Sequence, residues 1–192
     1  MADKGDASDE AIVLQVQKGD LQAFGALVER YERKLLRYAR KFLLQEEDRK
    51  DLVQEIFIKA YTNIKSFDIH RKFSPWIYRI AHNEFVNAGK RKWRDTMHLV
   101  DFDVVLPHPA AKETADADVN RNDLRAILDR CLAQIDAKYR EPLVLYYYEE
   151  LGYKEIAEAL QIPVATVGVR LQRGKAILQK LITRHDPSYG KR

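Results

Sequence analysis

Apolar residues recur at helical spacing along most of the chain, and no segment alternates with a period of two over a useful length. From residue 24 to residue 42 they follow alternating steps of four and three, which indicates a helix with one buried face. The members of this stripe are Phe24, Val28, Tyr31, Leu35, Tyr38 and Phe42. A shorter apolar set at residues 12–16 predicts a helix that ends at Gly19, with Asp20 as the N-cap of the next helix. The pattern therefore predicts an all-α fold with essentially no sheet.

Two further helices are predicted between residues 51 and 94. Apolar residues of the segment 51–64 share one face, and the opposite face carries Asp51, Gln54, Glu55 and Lys59. The polar patch at 45–50 is predicted to interrupt the pattern before this helix. A cation-rich loop at 65–74 follows, and Pro75 is predicted to open the next helix, because proline is favoured at a first helical position. We expect residues 10–94 to form a first helical domain after a disordered stretch at 1–9.

Charge is distributed unevenly, although the whole chain carries a formal charge of only +4. Residues 79–94 contain five Lys/Arg and one acid, interleaved with aromatic residues. Cations can meet phosphates and rings can stack on exposed bases, so this segment suits a nucleic-acid strand. Residues 95–118 contain six acids and one base, together with two prolines. They predict a flexible acidic linker, and we hypothesise that it can occupy a basic channel in a partner protein.

A second helical domain is predicted at residues 119–185, followed by a tail at 186–192. Within it, a short helix at 153–160 is followed by a three-residue break at 161–163 and a longer helix from 164 to about 183. This order is typical of a helix-turn-helix. Residues 163–185 contain five Lys/Arg and no acid. The second of these helices can therefore sit in a major groove with its flank on phosphates.

Several function classes are excluded at this level. A single cysteine, Cys131, leaves no disulfide framework and no multi-cysteine metal site. The five histidines show no ligand spacing, and we find no Gly-rich phosphate loop or nucleophile–base arrangement, so we expect no enzyme, no metal and no cofactor. The first ten residues are acidic and polar, unlike a signal peptide, and no apolar run approaches a membrane span. We expect a cytoplasmic protein with no membrane insertion of its own.

Two motif-bearing segments carry a resemblance to a known family. The first half reads DLVQE-x-F at 51–57 and SFDIHRKFSPWIYRIAHN at 66–83, and the second reads YREPLVLYYYEELGYKEIAEALQIPVATV at 139–167. In this order, joined by an acidic linker, they resemble the extracytoplasmic-function class of bacterial sigma factors, the small sigma subunits of RNA polymerase. The resemblance covers about residues 10–184. The first segment is similar to the family's second conserved region and the other to its fourth.

The resemblance implies a role for each site residue and no catalysis. The residues that match the surface docking on core RNA polymerase are Asp51, Gln54 and Glu55. The residues that match the part that recognises and melts the minus-ten element of promoter DNA, and pockets a flipped base, are Asp68, Ile69, His70, Arg71, Lys72, Phe73, Trp76, Arg79, Asn83, Lys90, Arg91 and Lys92. The residues that match the helix recognising the duplex minus-thirty-five element are Thr166, Val167, Gly168, Arg170, Gln172, Arg173 and Lys175. An anti-sigma factor is a further expected partner, since the family is usually held inactive by one.

Alternative interpretations remain for several of these features. A freestanding helix-turn-helix regulator would explain residues 139–184, but not the DLVQE segment or the aromatic loop. The acidic face at 51–55 is also compatible with a solvated helix surface, and Trp76 with either core or stacking. Gly168 and Val169 stand where the family usually has a basic or polar pair, which shifts base readout to the next polar residues or to DNA shape. Gln161 stands where many helix-turn-helix units have glycine.

Overall fold

The computed structural model describes residues 7–40, 45–96 and 127–185, with the side chains of 89–96 and 185 excluded. Regular secondary structure in these ranges is helical, which confirms the predicted all-α class. The two ends and most of the predicted acidic linker lie outside the described residues. The helices are α1 (Asp9–Gln17), α2 (Phe24–Ala39), α3 (Glu46–Asn63), α4 (Phe73–Thr96), α5 (127–133), α6 (Ala137–Tyr147), α7 (Tyr153–Leu160) and α8 (Val164–His185). Short 3-10 turns cover Leu21–Ala23 and Ile64–Ser66.

The apolar stripe of α2 forms the centre of the first helical core. Tyr31, Leu35 and Tyr38 are 3% exposed or less, and α2 packs against α1, α3 and α4. Tyr38 meets the ring of Tyr78 edge-on at 5.5 Å and the ring of Phe85 at 5.0 Å, so α4 is held against α2 by aromatic contacts. Burying each side chain of this size stabilises the folded state by about 1.5–3 kcal/mol. This core is therefore the main support of the helices around it.

Two helices begin earlier than the sequence pattern predicts. Helix α3 starts at Glu46, so the polar patch at 45–50 is its first turn rather than an interruption. Three acids in that turn interact favourably with the positive end of the helix dipole, which a search for apolar periodicity does not register. Helix α4 starts at Phe73, two residues before Pro75. The missing N–H of Pro75 falls in the first turn, where no intrahelical acceptor is available, so the helix accommodates it.

The helices group into two compact units. The first contains α1 to α4 together with residues 154–162, and the second contains the described residues 127–153 and 163–185. In the second unit α6 packs on α8 at Gly174, where a Cβ atom would lie 2.9 Å from Leu143 Cδ1 and 3.1 Å from the Tyr139 carbonyl oxygen. The two helix backbones approach this closely because Gly174 has no side chain.

The break between α7 and α8 has the turn geometry that glycine usually supplies. Gln161 adopts a φ of 54°, in the left-handed region, and the Ile162 N–H donates to the Ala157 carbonyl at 3.1 Å. The Pro163 carbonyl then accepts from Thr166 N at 2.9 Å, which starts α8. This conformation costs a residue other than glycine roughly 1–2 kcal/mol. Gln161 therefore keeps the predicted helix-turn-helix connection at a local cost.

Candidate nucleic-acid and polymerase interface

Aromatic side chains anchor both ends of the loop between α3 and α4. Phe67 is 6% exposed and Phe73 is fully buried, and their ring centroids lie 5.8 Å apart. The Trp76 ring contacts both, at 5.1 Å from Phe67 and 5.5 Å from Phe73. The expectation that the Phe73 side chain contacts DNA is wrong, because the core covers it completely. Trp76, at 8% exposed, is mainly a core residue as well.

The tip of this loop, residues 68–72, is polar and folded on itself. Asp68 Oδ1 accepts from the His70 N–H at 3.0 Å, and the Asp68 carbonyl accepts from the Arg71 N–H at 3.0 Å. This is the local pattern by which aspartate side chains stabilise turns. The side chains of His70, Arg71 and Lys72 are exposed, and Ile69 is half-buried. The tip therefore presents cations on a turn that its own hydrogen bonds support.

A concave pocket opens between the loop and α4. Trp76 and Phe67 give it aromatic walls, and the half-buried Arg79 and exposed Arg71 add two guanidinium groups. The lining residues are Ser66, Phe67, Asp68, Arg71, Trp76, Arg79 and Glu158. Aromatic faces beside hydrogen-bond donors can receive a nucleobase, since every base has a π-face and polar edges. Asn83, one helical turn beyond Arg79, is exposed, and the side chains of Lys90, Arg91 and Lys92 lie outside the described residues.

Two loop cations have carboxylate partners on α7, within the same unit. Arg71 Nη2 lies 2.6 Å from Glu158 Oε1, and Lys72 Nζ lies 2.7 Å from Glu155 Oε1. The hydrogen bond to Glu155 and the charge of that carboxylate raise the pKa of Lys72. Both cations remain more than half exposed, so solvent screens the pairs and a phosphate can exchange for the carboxylate.

An exposed face of α3 carries the residues expected to dock on the polymerase. Asp51, Gln54 and Glu55 all point to solvent, as predicted for this stripe. Ile58, which the sequence reasoning missed, is 62% exposed and lies on the same face, three residues after Glu55. The sequence signal that could have revealed Ile58 is an apolar residue at a position of the polar helix face. Lys59 is exposed as well, and its Nζ lies 2.6 Å from the buried carboxylate of Glu84.

Helix α8 presents a polar face of mixed character. Thr166, Arg170 and Arg173 recur at steps of four and three, and Val169, 46% exposed, lies between them on the helix surface. Val167 is fully buried, so the expectation that it contacts DNA is wrong; it packs in the core instead. The exposed or half-buried positions among the predicted contacts are Thr166, Gly168, Arg170, Gln172, Arg173 and Lys175.

Other chemistries find no support among the described residues. No group of three His, Cys, Asp or Glu side chains in the described ranges is placed to hold a metal ion. The Cys131 thiol is buried, and burial raises its pKa, which keeps it protonated and unreactive. None of the described helices combines the length and apolar character needed to cross a membrane.

Comparison with known families decides the identity of this arrangement. The family model for sigma-70 region 2 matches residues 27–95, and the model for sigma-70 region 4 matches residues 125–178. The chain belongs to the sigma-70 family of sigma factors. These matches confirm the resemblance inferred from the two motif-bearing segments.

Relatives place this sigma factor in the extracytoplasmic-function class. It is 36% identical over 177 residues to the ECF RNA polymerase sigma factor SigW of Bacillus subtilis, covering 88% of this chain and 93% of that protein. It is 31% identical over 181 residues to the ECF RNA polymerase sigma-E factor of Escherichia coli K12, covering 91% and 94%. The structure of CnrH in complex with the cytosolic domain of CnrY is similar with a TM-score of 0.69 at 27% identity, covering 93% of this chain and 99% of that one.

Proposed function

We propose that this sigma factor binds core RNA polymerase, contacts promoter DNA through residues 10–94 and 119–185, and opens the minus-ten element. The observation that carries the proposal is the pocket between the loop tip and α4, with aromatic walls and two guanidinium groups. A base extruded from a duplex needs a stacking surface and polar partners. Family membership supplies the polymerase as the partner.

At the minus-ten element, the pocket would receive one base of the separated non-template strand. Stacking on an aromatic ring contributes about 1–3 kcal/mol per base, which is comparable with the few kcal/mol needed to unstack and unpair it. Arg79 lines the pocket and can donate to base edges, while Arg71 and Lys72 exchange their carboxylate partners for phosphates. Asn83 and the basic run at 90–92 would continue the contact along the strand.

At the minus-thirty-five element, α8 would enter the major groove of duplex DNA. Thr166, Arg170 and Arg173 lie on the face that would meet base edges, and arginine pairs well with guanine O6 and N7. Val169 cannot donate a hydrogen bond, but its exposed methyl groups can contact the C5-methyl group of thymine. Gln172 and Lys175 would contact the flanking phosphates, which fix the register of the helix.

The exposed face of α3 would dock on core polymerase. Asp51, Gln54 and Glu55 supply charge and hydrogen-bond acceptors, and Ile58 supplies an apolar centre of the kind that often contributes much of an interface's binding energy. We also propose an anti-sigma protein as a regulatory partner, supported by the similarity to CnrH, whose structure contains the cytosolic domain of CnrY. A cytoplasmic location follows from the polymerase partner.

DNA opening tests the proposal and separates it from a freestanding helix-turn-helix regulator. Duplex promoters selected by the polymerase complex from a random library are treated with permanganate, which oxidises unpaired thymines. We expect reactivity in the upstream element only when both the sigma factor and core polymerase are present. Tight sequence-specific binding by the isolated chain, with no polymerase-dependent opening, would instead establish the regulator.

A further inference from the structure

Helix α1 contacts both ends of the loop between α3 and α4, which is the loop proposed to meet the minus-ten element. This helix lies outside the segment matched to region 2 and outside all the predicted contacts. At the start of the loop, Gln17 Nε2 donates to the carbonyl oxygens of Ile64 and Phe67, both at 2.8 Å. At its end, Glu10 Oε1 accepts from the Phe73 N–H at 2.9 Å. All three hydrogen bonds are partly buried.

These contacts supply hydrogen-bond partners to three backbone groups, and the Ile64 carbonyl also accepts from the Phe67 N–H at 3.1 Å. A primary amide has two N–H groups, so Gln17 can serve both carbonyls at once and hold the 3-10 turn against the loop start. The Phe73 N–H is among the first amides of α4, which have no intrahelical acceptor, and a carboxylate there is also favoured by the helix dipole. Because 47 residues separate Gln17 from Ile64, the contact fixes tertiary placement rather than local geometry.

Helix α1 is itself firmly attached to the rest of the first unit. Its apolar face is buried, with Val13 fully inaccessible. Asp9 Oδ1 lies 2.7 Å from Arg30 Nη1, and Asp9 Oδ2 accepts from the Tyr31 hydroxyl at 2.5 Å. The Tyr31 ring in turn contacts Phe73 edge-on at 5.4 Å. The side chains that hold the loop therefore extend from a fixed support.

We propose that Gln17 and Glu10 are positioning residues for minus-ten recognition. They fix the two ends of the loop, so the tip at 68–72 and the pocket beside it are set before DNA arrives. A preset loop loses less conformational entropy on binding, and it can hold an extruded base without rearranging first. The inference depends on the proposed function, because it assigns these residues to the opening of the same element. It predicts a loss in strand capture that leaves polymerase docking and duplex recognition intact.

Gln17→Leu tests the proposal, with Gln15→Leu as the matched control. Gln15 lies on the same helix with an exposed side chain, so the same substitution there removes no loop contact. Each variant is assembled with core polymerase on a selected promoter carrying 2-aminopurine in the minus-ten element, and opening is followed by fluorescence. We expect Gln17→Leu to slow opening and to weaken binding of a single-stranded non-template oligonucleotide by about tenfold, the scale of one to two hydrogen bonds. Affinity for core polymerase and for duplex minus-thirty-five DNA should match the wild type.

Glu10 provides an independent test if Gln17→Leu impairs folding, which urea denaturation reports. Glu10→Gln keeps an oxygen that can accept from Phe73 N–H and should open the promoter at close to the wild-type rate, whereas Glu10→Ala should slow opening. Wild-type opening by Gln17→Leu, or by Glu10→Ala when Gln17→Leu does not fold, would overturn the proposal. An equally slow opening by the control Gln15→Leu would also overturn the proposal. Failure of the wild-type complex to open any promoter would instead refute the proposed function.

Discussion

The Glu84 carboxylate lies 2.6 Å from Lys59 Nζ, and only 7% of the Glu84 side chain is exposed, against 48% of Lys59. The pair joins α3 to α4. Removing the cation leaves a buried charge without its partner, so Lys59→Met should lower the free energy of unfolding by about 1–3 kcal/mol. Urea denaturation measures the loss. Lys50→Met in the same helix breaks an exposed pair with Glu46 and should change stability little; equal losses from the two variants would contradict the assignment.

Tyr31 should make the fold sensitive to alkaline pH. Burial, then the hydrogen bond to Asp9, then the charge of Asp9 raise the pKa of Tyr31 well above its usual value. The folded state thus keeps a proton that the unfolded chain loses above about pH 10, so this stabilisation is complete below that pH and declines above it. The stability difference between wild type and Tyr31→Phe should therefore shrink as the pH rises above about 10.

The two glycines of α8 should respond oppositely to alanine. At Gly174 a Cβ would press on Leu143 and on the Tyr139 carbonyl oxygen, whereas at Gly168 the nearest atom, Tyr153 Cε2, is at an ordinary 3.7 Å. Gly168→Ala should stabilise the fold by up to about 1 kcal/mol through helix propensity. Gly174→Ala should destabilise it by about 1–3 kcal/mol, because the close packing of α6 on α8 must open. Thermal unfolding of both variants measures this; the same sign for both would contradict the packing.

Replacing Arg173 tests whether this residue of α8 reads a base or contacts a phosphate. Arg173→Ala should weaken binding of the polymerase complex to the preferred minus-thirty-five sequence by about 1–3 kcal/mol, with the loss concentrated at one base pair. Lys180→Ala, at an exposed position further along the same helix, should weaken binding less and equally for all sequences. Binding to a panel of single-base variants measures both effects. A uniform loss for Arg173→Ala would make it a phosphate contact.

Local periodicity predicted the helices well where one face is buried. The alternating steps of four and three in α2 predicted the burial of Tyr31, Leu35 and Tyr38, because helical spacing alone decides which side chains face the core. The start of α3 at Glu46 was missed because a charged first turn carries no apolar signal, although its acids suit the helix dipole.

Site residues were predicted less completely than the fold, because motif position does not reveal burial. Phe73 and Val167 lie within the matching motifs, yet both are fully buried and support the surfaces that their neighbours present. No local sequence pattern could predict the role of Gln17, because its two acceptors lie 47 and 50 residues further along the chain. Only the tertiary fold brings such partners together.

Transcription by purified core polymerase over a randomised promoter library tests the central claim most directly. Wild-type chain should direct RNA synthesis from discrete start sites that share two upstream sequence elements. The double variant Asp51→Ala/Glu55→Ala should need about tenfold more protein to give the same transcript yield, the scale expected for interface hot-spot residues. A control with two exposed acids replaced on α2, Glu29→Ala/Glu32→Ala, should match the wild type. Absence of discrete starts with the wild-type chain, or undiminished transcription with the α3 double variant, would contradict the account.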